Sequence, residues 1–294
     1  MIIQSLSVCV PSLRCINDCK FCCSKMHTAD YTDRFTELGK YSAYRDDMGK
    51  RLEYARDNGC NTCMLTGNNE PQQNKEYLRV FSEVNSSISS PFRNIEMQTS
   101  GAFIDEDMLD FLKYSVGLTT IAISVACLDD DAKNRDTIQT KDSNLNLKWL
   151  CKAAKDRNLN LRICLNMNDD ILLHHDFTPE TIIKLCKELD ADQITFRALW
   201  SPDATTEQGK WIEDHVTSKT YDFIDSLKAD IKDKGKYLDT LEYGADRYDY
   251  YEFSVVIDED SMSQEDKKSA VKYLILRPNG HLYSKWDSKA SLIF

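Results

Sequence analysis

The sequence predicts an α/β fold, a partial (β/α)6 TIM-like barrel followed by a C-terminal α+β extension. Six short β-type runs each precede a helical or loop segment over residues 1–203. The helical patterns span about ten to fifteen residues, the length of a right-handed crossover between parallel strands. Six such units are too few to close an eight-stranded barrel, so an open partial barrel is expected.

The elements follow one another in a regular order. The strand patterns are IIQSLSVCV, CNTCMLTG, RNIEMQTSG, TTIAISVAC, LNLRICLNM and DQITFRALW. The helical patterns are KYSAYRDDMGKRLEYARDNG, NKEYLRVFSEVNSSI, DEDMLDFLKYS, NLKWLCKAAKDRN and TPETIIKLCKELD. The acidic stretch DDDAKNRD after the fourth strand is expected to be a solvated loop, because it has no apolar face.

The pattern changes after about residue 203, where a long charged helical stretch begins. Two further strand patterns follow, YEFSVVID and VKYLILRPNGHLYSKWD, and the second predicts a hairpin that turns at Asn279-Gly280. We therefore divide the chain into a barrel at 1–203 and an extension at 204–294 that packs on it.

Composition narrows the class of protein. The chain has 294 residues and a net charge of −11, which disfavours a long nucleic acid as partner but leaves room for a local basic pocket that binds a small anion. There is no signal sequence and no run of about 18 apolar residues. The prediction is a cytoplasmic protein without a membrane partner.

Cysteine usage points to metal chemistry. All eleven cysteines lie at or before Cys186, and Cys15, Cys19, Cys22 and Cys23 fall within nine residues. Without a signal peptide, metal ligation is favoured over disulfides. Three thiolates can hold a [4Fe–4S] cluster with one iron left open. The alternative is a non-enzymatic, zinc-stabilised binding module that pairs Cys19-x2-Cys22 with Cys60-x2-Cys63.

The loop Cys15-Ile-Asn-Asp-Cys19-Lys-Phe21-Cys22 resembles the C-x3-C-x-aromatic-C signature of radical S-adenosylmethionine (SAM) enzymes. The resemblance implies that the open iron chelates SAM. Reductive cleavage of SAM would then give a 5′-deoxyadenosyl radical that abstracts hydrogen from the substrate. It also implies an electron donor such as flavodoxin or ferredoxin.

Further residues resemble the SAM site of that family, with a layout similar to single-cluster relatives of the molybdopterin-precursor cyclase and the SPASM-type branch. Thr66-Gly67-Asn68-Asn69-Glu70-Pro71 aligns with its T-G-T-G-E-P turn. Asn tolerates positive φ, so Asn69 can replace the usual glycine. The cofactor-binding residues that the resemblance implies are Phe21, Gly67, Asn68, Asn69, Glu70, Thr99, Ser100, Ser124, Arg162 and Trp200. No cysteine follows the C-terminal hairpin and the barrel begins near Met1, so one cluster and no separate leader-peptide domain are expected.

The substrate is expected over the C-terminal strand ends, bounded by Asn166, Arg197 and Trp200. Arg197 and Cys127 are the catalytic candidates. Arg197 lies in the polar phase of an otherwise apolar strand, and an unpaired arginine inside a barrel is costly. A small molecule (sugar, nucleoside or nucleotide) is the preferred substrate class, with a short peptide as the alternative.

Overall fold

A single mixed sheet organises the protein. The computed structural model describes residues 2–26, 44–172, 178–201, 203–240, 246–258, 270–286 and 288–294. Its described strands form one sheet of eleven strands, in which the six strands of the predicted barrel lie together in chain order. The predicted partial barrel is confirmed as the centre of this sheet.

The six predicted strands pair in chain order, each parallel to the next. They are β1 Ile2–Cys9, β2 Thr62–Thr66, β3 Asn94–Thr99, β4 Thr120–Val125, β5 Asn160–Met167 and β6 Gln193–Ala198. Parallel pairing brings all their carboxyl ends to one rim, which is where ligands bind in β/α barrels.

Helices connect these strands on the outside. They are α1 Cys23–Met26, α2 Arg45–Asp57, α3 Lys75–Ser87, α4 Glu106–Asp110, α5 Asp131–Ile138, α6 Leu147–Asp156, α7 Pro179–Glu188, α8 Glu207–His215 and α9 Ser218–Lys234. A π-helical turn, Phe111–Val116, extends α4. The first predicted residues of α2, 40–43, lie outside the described residues.

The prediction of a solvated loop after β4 is wrong, because α5 forms there. The Asp130 side chain caps the helix by accepting from the Lys133 N–H. Asn134 is buried and its amide accepts from the backbone N–H groups of Ala126 and Cys127. Asn134 therefore holds α5 on the end of β4. The helix lacks the apolar face by which amphipathic helices are recognised in a sequence.

The C-terminal region adds strands to both sides of the barrel. β9 (Ser254–Asp258) pairs parallel with β6, and β10 (Ala270–Leu276) pairs parallel with β1. The predicted hairpin is confirmed by the antiparallel pairing of β10 with β11 (Leu282–Tyr283). A second hairpin, β7 (Lys236–Thr240) and β8 (Asp246–Asp249), extends β9. The division at residue 203 remains a proposal.

The two faces of the sheet differ in polarity. Outward residues such as Leu6, Leu65, Ile163 and Phe196 are fully buried in one apolar layer with the helices. The opposite phase carries polar side chains towards the barrel interior. None of the described helices has the length and apolar character that a membrane crossing requires.

Candidate active site

The loop between β1 and α1 holds the clustered cysteines in a fixed conformation. Its backbone is tied to α5, because the Asp18 N–H donates to the Ile138 carbonyl at 3.1 Å and the Lys20 N–H to the Thr137 carbonyl at 3.0 Å. The Cys22 N–H donates to the Cys19 carbonyl at 3.2 Å. These bonds do not involve the three thiols, which stay available as ligands.

Two thiols of this loop, those of Cys15 and Cys19, are difficult to ionise without a cation. Burial raises the pKa of the Cys15 thiol to about 11, and the charges of Glu70 and Cys22 act in the same direction. Burial and then the charges of Cys22, Glu70 and Cys15 raise the pKa of Cys19 well above its usual value. Metal ions bind thiolates and remove this penalty. The donor set fits an iron–sulfur cluster.

The arrangement of the three thiols also differs from that of a site for a single metal ion. Among the described residues, no group of three or more His, Cys, Asp or Glu side chains is placed to hold a single metal ion. In a [4Fe–4S] cluster each thiolate binds a different iron, so convergence on one point is not needed.

The Glu70 carboxylate forms the polar centre beside this loop. It is buried and accepts from the Asn17 amide at 3.0 Å, the Thr99 hydroxyl at 2.5 Å and the Ser100 N–H at 3.0 Å. The Gln72 amide donates to it as well, at 3.0 Å. Residues from the cysteine loop, the turn after β2 and the end of β3 therefore meet at one carboxylate.

Two buried acceptor oxygens, one of them on a residue that bonds to Glu70, lack a partner. The side-chain oxygens of Asn17 and Asn69 are buried and accept no hydrogen bond from any described residue. Buried amide oxygens are normally satisfied. A ligand with N–H groups, such as the ammonium of SAM, would supply the missing donors. Because Glu70 already has its full set of donors, such a ligand would compete with the Asn17 amide for the carboxylate.

The turn after β2 approaches the end of β1 closely. Gly67 has φ of 154°, and a Cβ there would lie 3.1 Å from the Val10 carbonyl oxygen. Asn69 donates to the same oxygen at 2.8 Å. Asn69 is absent from the described residues with positive φ, so the expectation that it replaces a glycine by tolerating that conformation is wrong; it stabilises the turn through its side chain instead.

Glycine is also required in the turn after β3. Gly101 has φ of 85°, and its Cβ would lie 2.3 Å from the Leu150 side chain. The Thr99 hydroxyl accepts from the Gly101 N–H at 2.9 Å. This tight turn places Thr99 and Ser100, both predicted to bind cofactor, against Glu70.

The two aromatic residues that were predicted to bind the cofactor, Phe21 and Trp200, are not among the residues that bond to Glu70. The Phe21 ring lies 6.0 Å from the ring of Trp211 on α8. Together they pack on an apolar cluster of Met26, Leu199, Ile212 and Val216. Trp200 is 51% exposed. Ser124 and Asn68 are half-buried.

Arg162 lies deeper in the barrel than the other predicted cofactor residues. It pairs in register with Gln193, four residues before the Asn166–Arg197 pair, which is about 13 Å along the strand. Its guanidinium forms an ion pair with Glu96 at 2.8 Å and donates to Gln193 at 2.6 Å. These bonds give Arg162 a structural role, and its contact with SAM stays a prediction.

Replacement of Arg162 tests that role. Arg162→Met should lower the free energy of unfolding by about 2 kcal/mol, below the value for a fully buried pair because the arginine is partly exposed. The reason is that Glu96 would keep a buried, unpaired charge. Chemical denaturation measures the change, and Glu96→Gln in the same chain should restore most of it. A stable Arg162→Met protein that no longer binds SAM would instead make Arg162 a cofactor ligand.

Arg197 is a cation at the rim without a described ion-pair partner. It pairs in register with Asn166 on β5 and Asp258 on β9, and its Nε atom is buried without a hydrogen-bond partner. Burial lowers the pKa of Arg197, but the charges of Cys164, Asp258 and other neighbours outweigh it and raise the pKa. The guanidinium is therefore always charged and available to an anion.

Cys23 faces Arg197 from the cysteine loop. Burial and the charge of Cys22 raise the pKa of Cys23 to about 11, while Arg197 acts against them. Arg197 therefore lies close to the predicted cluster. Cys127, the other catalytic candidate, is buried and donates its thiol proton to Asp129 at 3.2 Å; its catalytic role stays a prediction.

Two residues of the site were missed in the sequence. Asn17 lies inside the cysteine motif as one of its variable positions, so the motif gives it no weight. Trp211 lies on a helix that the sequence places in the extension. The only sequence signal for Asn17 was its position between two predicted cluster ligands, Cys15 and Cys19. Trp211 had no such signal in the sequence.

Comparison with known proteins identifies the family that the chain resembles. The family model described as the radical SAM superfamily matches residues 9–189, which is more than half of the 294 residues. It covers the cysteine loop, the Glu70 turn and β2 through β5. No curated protein sequence matches this chain significantly.

Solved structures show the same fold at low identity. Native anSMEcpe with bound AdoMet superposes with a TM-score of 0.61 at 14% identity, covering 97% of this chain and 75% of that chain. Coproporphyrinogen III oxidase (HemN) from Escherichia coli, described as a radical SAM enzyme, has a TM-score of 0.52 at 16% identity, covering 81% of this chain and 54% of that chain. The chain thus matches only about half the length of that oxidase.

Proposed function

This chain belongs to the radical SAM superfamily, and on that premise we propose that it reductively cleaves SAM and abstracts a hydrogen atom from a small anionic molecule. The family is one of enzymes that use a [4Fe–4S] cluster and SAM, so the class of enzyme and both cofactors follow from membership. Membership in this family argues against the alternative interpretation, a non-enzymatic, zinc-stabilised binding module. The assignment of individual residues is our proposal.

Cys15, Cys19 and Cys22 would hold the cluster, which when bound supplies the electron for SAM cleavage. The observation that carries this is the grouping of three thiols on a loop whose backbone is fixed by α5. Glu70 lies close enough that its charge raises the pKa of two of these thiols. The cofactor site and the cluster ligands would therefore share one wall.

The SAM ammonium would bind beside Glu70 at the unpaired oxygen of Asn17, and the unpaired oxygen of Asn69 would be a further acceptor on the same turn as Glu70. Gly67 and Asn68 would supply backbone groups from the same turn. The remaining residues that we assign to this cofactor are Phe21, Thr99, Ser100, Ser124, Arg162 and Trp200. Of these, Thr99 and Ser100 are supported by their bonds to Glu70.

The substrate would place a carboxylate or phosphate on Arg197. Its planar guanidinium binds such groups in a bidentate manner, and its Nε has no described partner. Asn166 and Trp200 would border the pocket on neighbouring strand ends. α8 contacts α1 through Met26 and Ile212, which supports a cover formed by part of residues 205–294.

A short peptide is the second candidate substrate. A structure of anSMEcpe with bound AdoMet and Kp18Cys peptide superposes on 79% of this chain and 61% of that chain, with a TM-score of 0.52 at 16% identity. This likeness concerns the fold, so the small anion is preferred on the strength of Arg197.

Anaerobic reconstitution tests the proposed function. The protein should take up about four iron atoms per chain, form a reducible cluster and release 5′-deoxyadenosine from SAM. Iron analysis and chromatography of the products measure this. Soaking with metabolite mixtures should then reveal the substrate as a rise in 5′-deoxyadenosine release. Tightly bound zinc with no iron uptake would contradict the proposal.

A further inference from the structure

The C-terminal region extends the parallel part of the sheet on both sides. β10 pairs parallel with β1 and β9 pairs parallel with β6, so the six predicted strands become eight consecutive parallel strands. The carboxyl end of β9 therefore lies at the same rim as the carboxyl ends of β5 and β6, where ligands bind in β/α barrels. The inward face of β9 is a wall of the substrate site that the six-stranded prediction did not contain.

Asp258 is the last residue of β9 and lies beside Arg197. The two residues pair in register on neighbouring strands, which places their backbones about 4.8 Å apart and their side chains on the same face of the sheet. The preceding residues, Phe196 and Ile257, pack in the apolar layer with the helices. Because side chains alternate along a strand, Arg197 and Asp258 both face the barrel interior. A cation and an anion therefore lie side by side at the rim.

These two charges are not paired with each other. Neither the Arg197 guanidinium nor the Asp258 carboxylate forms a hydrogen bond or an ion pair with a described residue, and both side chains are half-buried. Opposite charges side by side in a sheet usually stabilise it by pairing, and a charge removed from water without a partner is costly. A ligand that carries one group of each sign would give both side chains a partner at once.

Both charges act on the same part of the interior. Cys164 on β5 is buried and pairs in register with Thr195, two residues before Arg197 on β6. Burial raises the pKa of the Cys164 thiol, the charge of Arg197 acts against this increase, and the charge of Asp258 adds to it. The next inward residue on β5 is Asn166, which pairs with Arg197. The two charges therefore converge on the space that Asn166 borders, where we place the substrate.

We propose that Arg197 and Asp258 together select a zwitterionic substrate, a small molecule whose protonated amine lies close to a carboxylate or phosphate, as in an amino acid. This inference rests on the proposed function and narrows its substrate class. The anionic group would bind the Arg197 guanidinium in a bidentate manner, and the amine would donate to the Asp258 carboxylate. A molecule with anionic groups alone, such as a nucleotide or a dicarboxylic acid, would be repelled by Asp258.

Binding of matched probes tests the selection. The probes are α-amino acids, β-amino acids and phosphoethanolamine, each compared with its N-acetyl derivative, and the amino acids also with their amides. Calorimetry measures their binding to the reconstituted holoenzyme with saturating SAM and without reductant, so that the cofactor site is filled. At least one zwitterion should bind at least about tenfold more tightly than its derivatives, since each derivative lacks one of the two charges. The tightest class shows whether the anionic group is a carboxylate or a phosphate.

Variants of Asp258 assign the amine to this carboxylate. Asp258→Asn should weaken binding of the zwitterion about tenfold, but the N-acetyl derivative should bind at least as tightly as before, because it has no ammonium to lose. Asp258→Lys should bind succinate more tightly than the wild type does, since two cations would then face two carboxylates. The matched control is Asp249→Asn on β8, whose register partner is Ser254 at the amino end of β9; it should leave every affinity unchanged.

Three results would overturn the proposal. They are equal losses of the zwitterion and its N-acetyl derivative in Asp258→Asn, no preference for any zwitterion in the wild type, and zwitterion binding that saturating SAM abolishes. Asp258→Asn decides alone if the lysine variant does not fold. A wild type that binds the zwitterion but releases no 5′-deoxyadenosine with dithionite would refute the proposed function and leave the charge selection standing. Release of 5′-deoxyadenosine without zwitterion selectivity would refute only this inference.

Discussion

Replacement of Cys15, Cys19 and Cys22 by alanine should abolish iron uptake and reduce 5′-deoxyadenosine formation to background. The expected loss exceeds the roughly 100-fold effect seen when only a supporting residue of a metal site is removed. The variant should remain folded, because backbone bonds to α5 and the Asn17 side chain hold the loop, and the thiols add only local bonds to the Asn17 N–H and the Ser24 hydroxyl. Iron analysis, circular dichroism and product chromatography measure the three outcomes.

Cys23 provides the matched control for this experiment. It is adjacent to Cys22, but it lies outside the proposed ligand set. Cys23→Ala should keep about four iron atoms per chain. If Cys23→Ala loses iron while Cys22→Ala retains it, the ligand set is wrong. If the triple variant unfolds, single variants at the same positions decide the question.

Arg197→Ala should lose substrate turnover but keep uncoupled SAM cleavage. Removal of a charged partner from a buried pair typically costs about 3 kcal/mol, a little over 100-fold in kcat/KM. The residue lies at the rim with a free Nε, so the loss should fall on the substrate rather than on the cluster. Substrate-dependent and substrate-independent 5′-deoxyadenosine release separate the two steps.

Lysine at the same position is the informative comparison. Arg197→Lys keeps the charge but not the bidentate geometry, so it should recover part of the substrate turnover. A variant that loses SAM affinity while substrate affinity is unchanged would mean that Arg197 belongs to the cofactor site. Equal loss in Arg197→Lys and Arg197→Ala would assign the role to geometry alone.

The barrel could be predicted because strand alternation and turn patterns depend on residues that are neighbours in the sequence. Period-two alternation marked Arg197 as inward, and the turn residues Asn279-Gly280 predicted the last hairpin. The two strand patterns of the extension were predicted, but their parallel pairing with β6 and β1 was not. Nothing local in Ser254–Asp258 says that it pairs with β6, because that choice depends on contacts made after the chain has folded back.

The hydrogen bonds around Glu70 could not be predicted for the same reason, because they join residues that are far apart in the sequence. Glu70 was predicted as a cofactor ligand from the turn that contains it, but its donors come from far along the chain. Asn17 is 53 residues away and Ser100 is 30 residues away. Arg162 was predicted from its strand position, and its ion pair with Glu96, 66 residues earlier, could not be seen in the pattern.

The pairing of β1 with β10 has a consequence for how the protein is made. Ile2 is the partner of Ala270, and Val8 of Leu276, so β1 receives its second neighbour from a strand that is synthesised much later. During synthesis that edge of the growing sheet has unpaired N–H and carbonyl groups, which invite pairing with other chains. Such long sequence separation also slows folding. We infer that a nascent chain truncated before residue 270 aggregates more readily than the finished one.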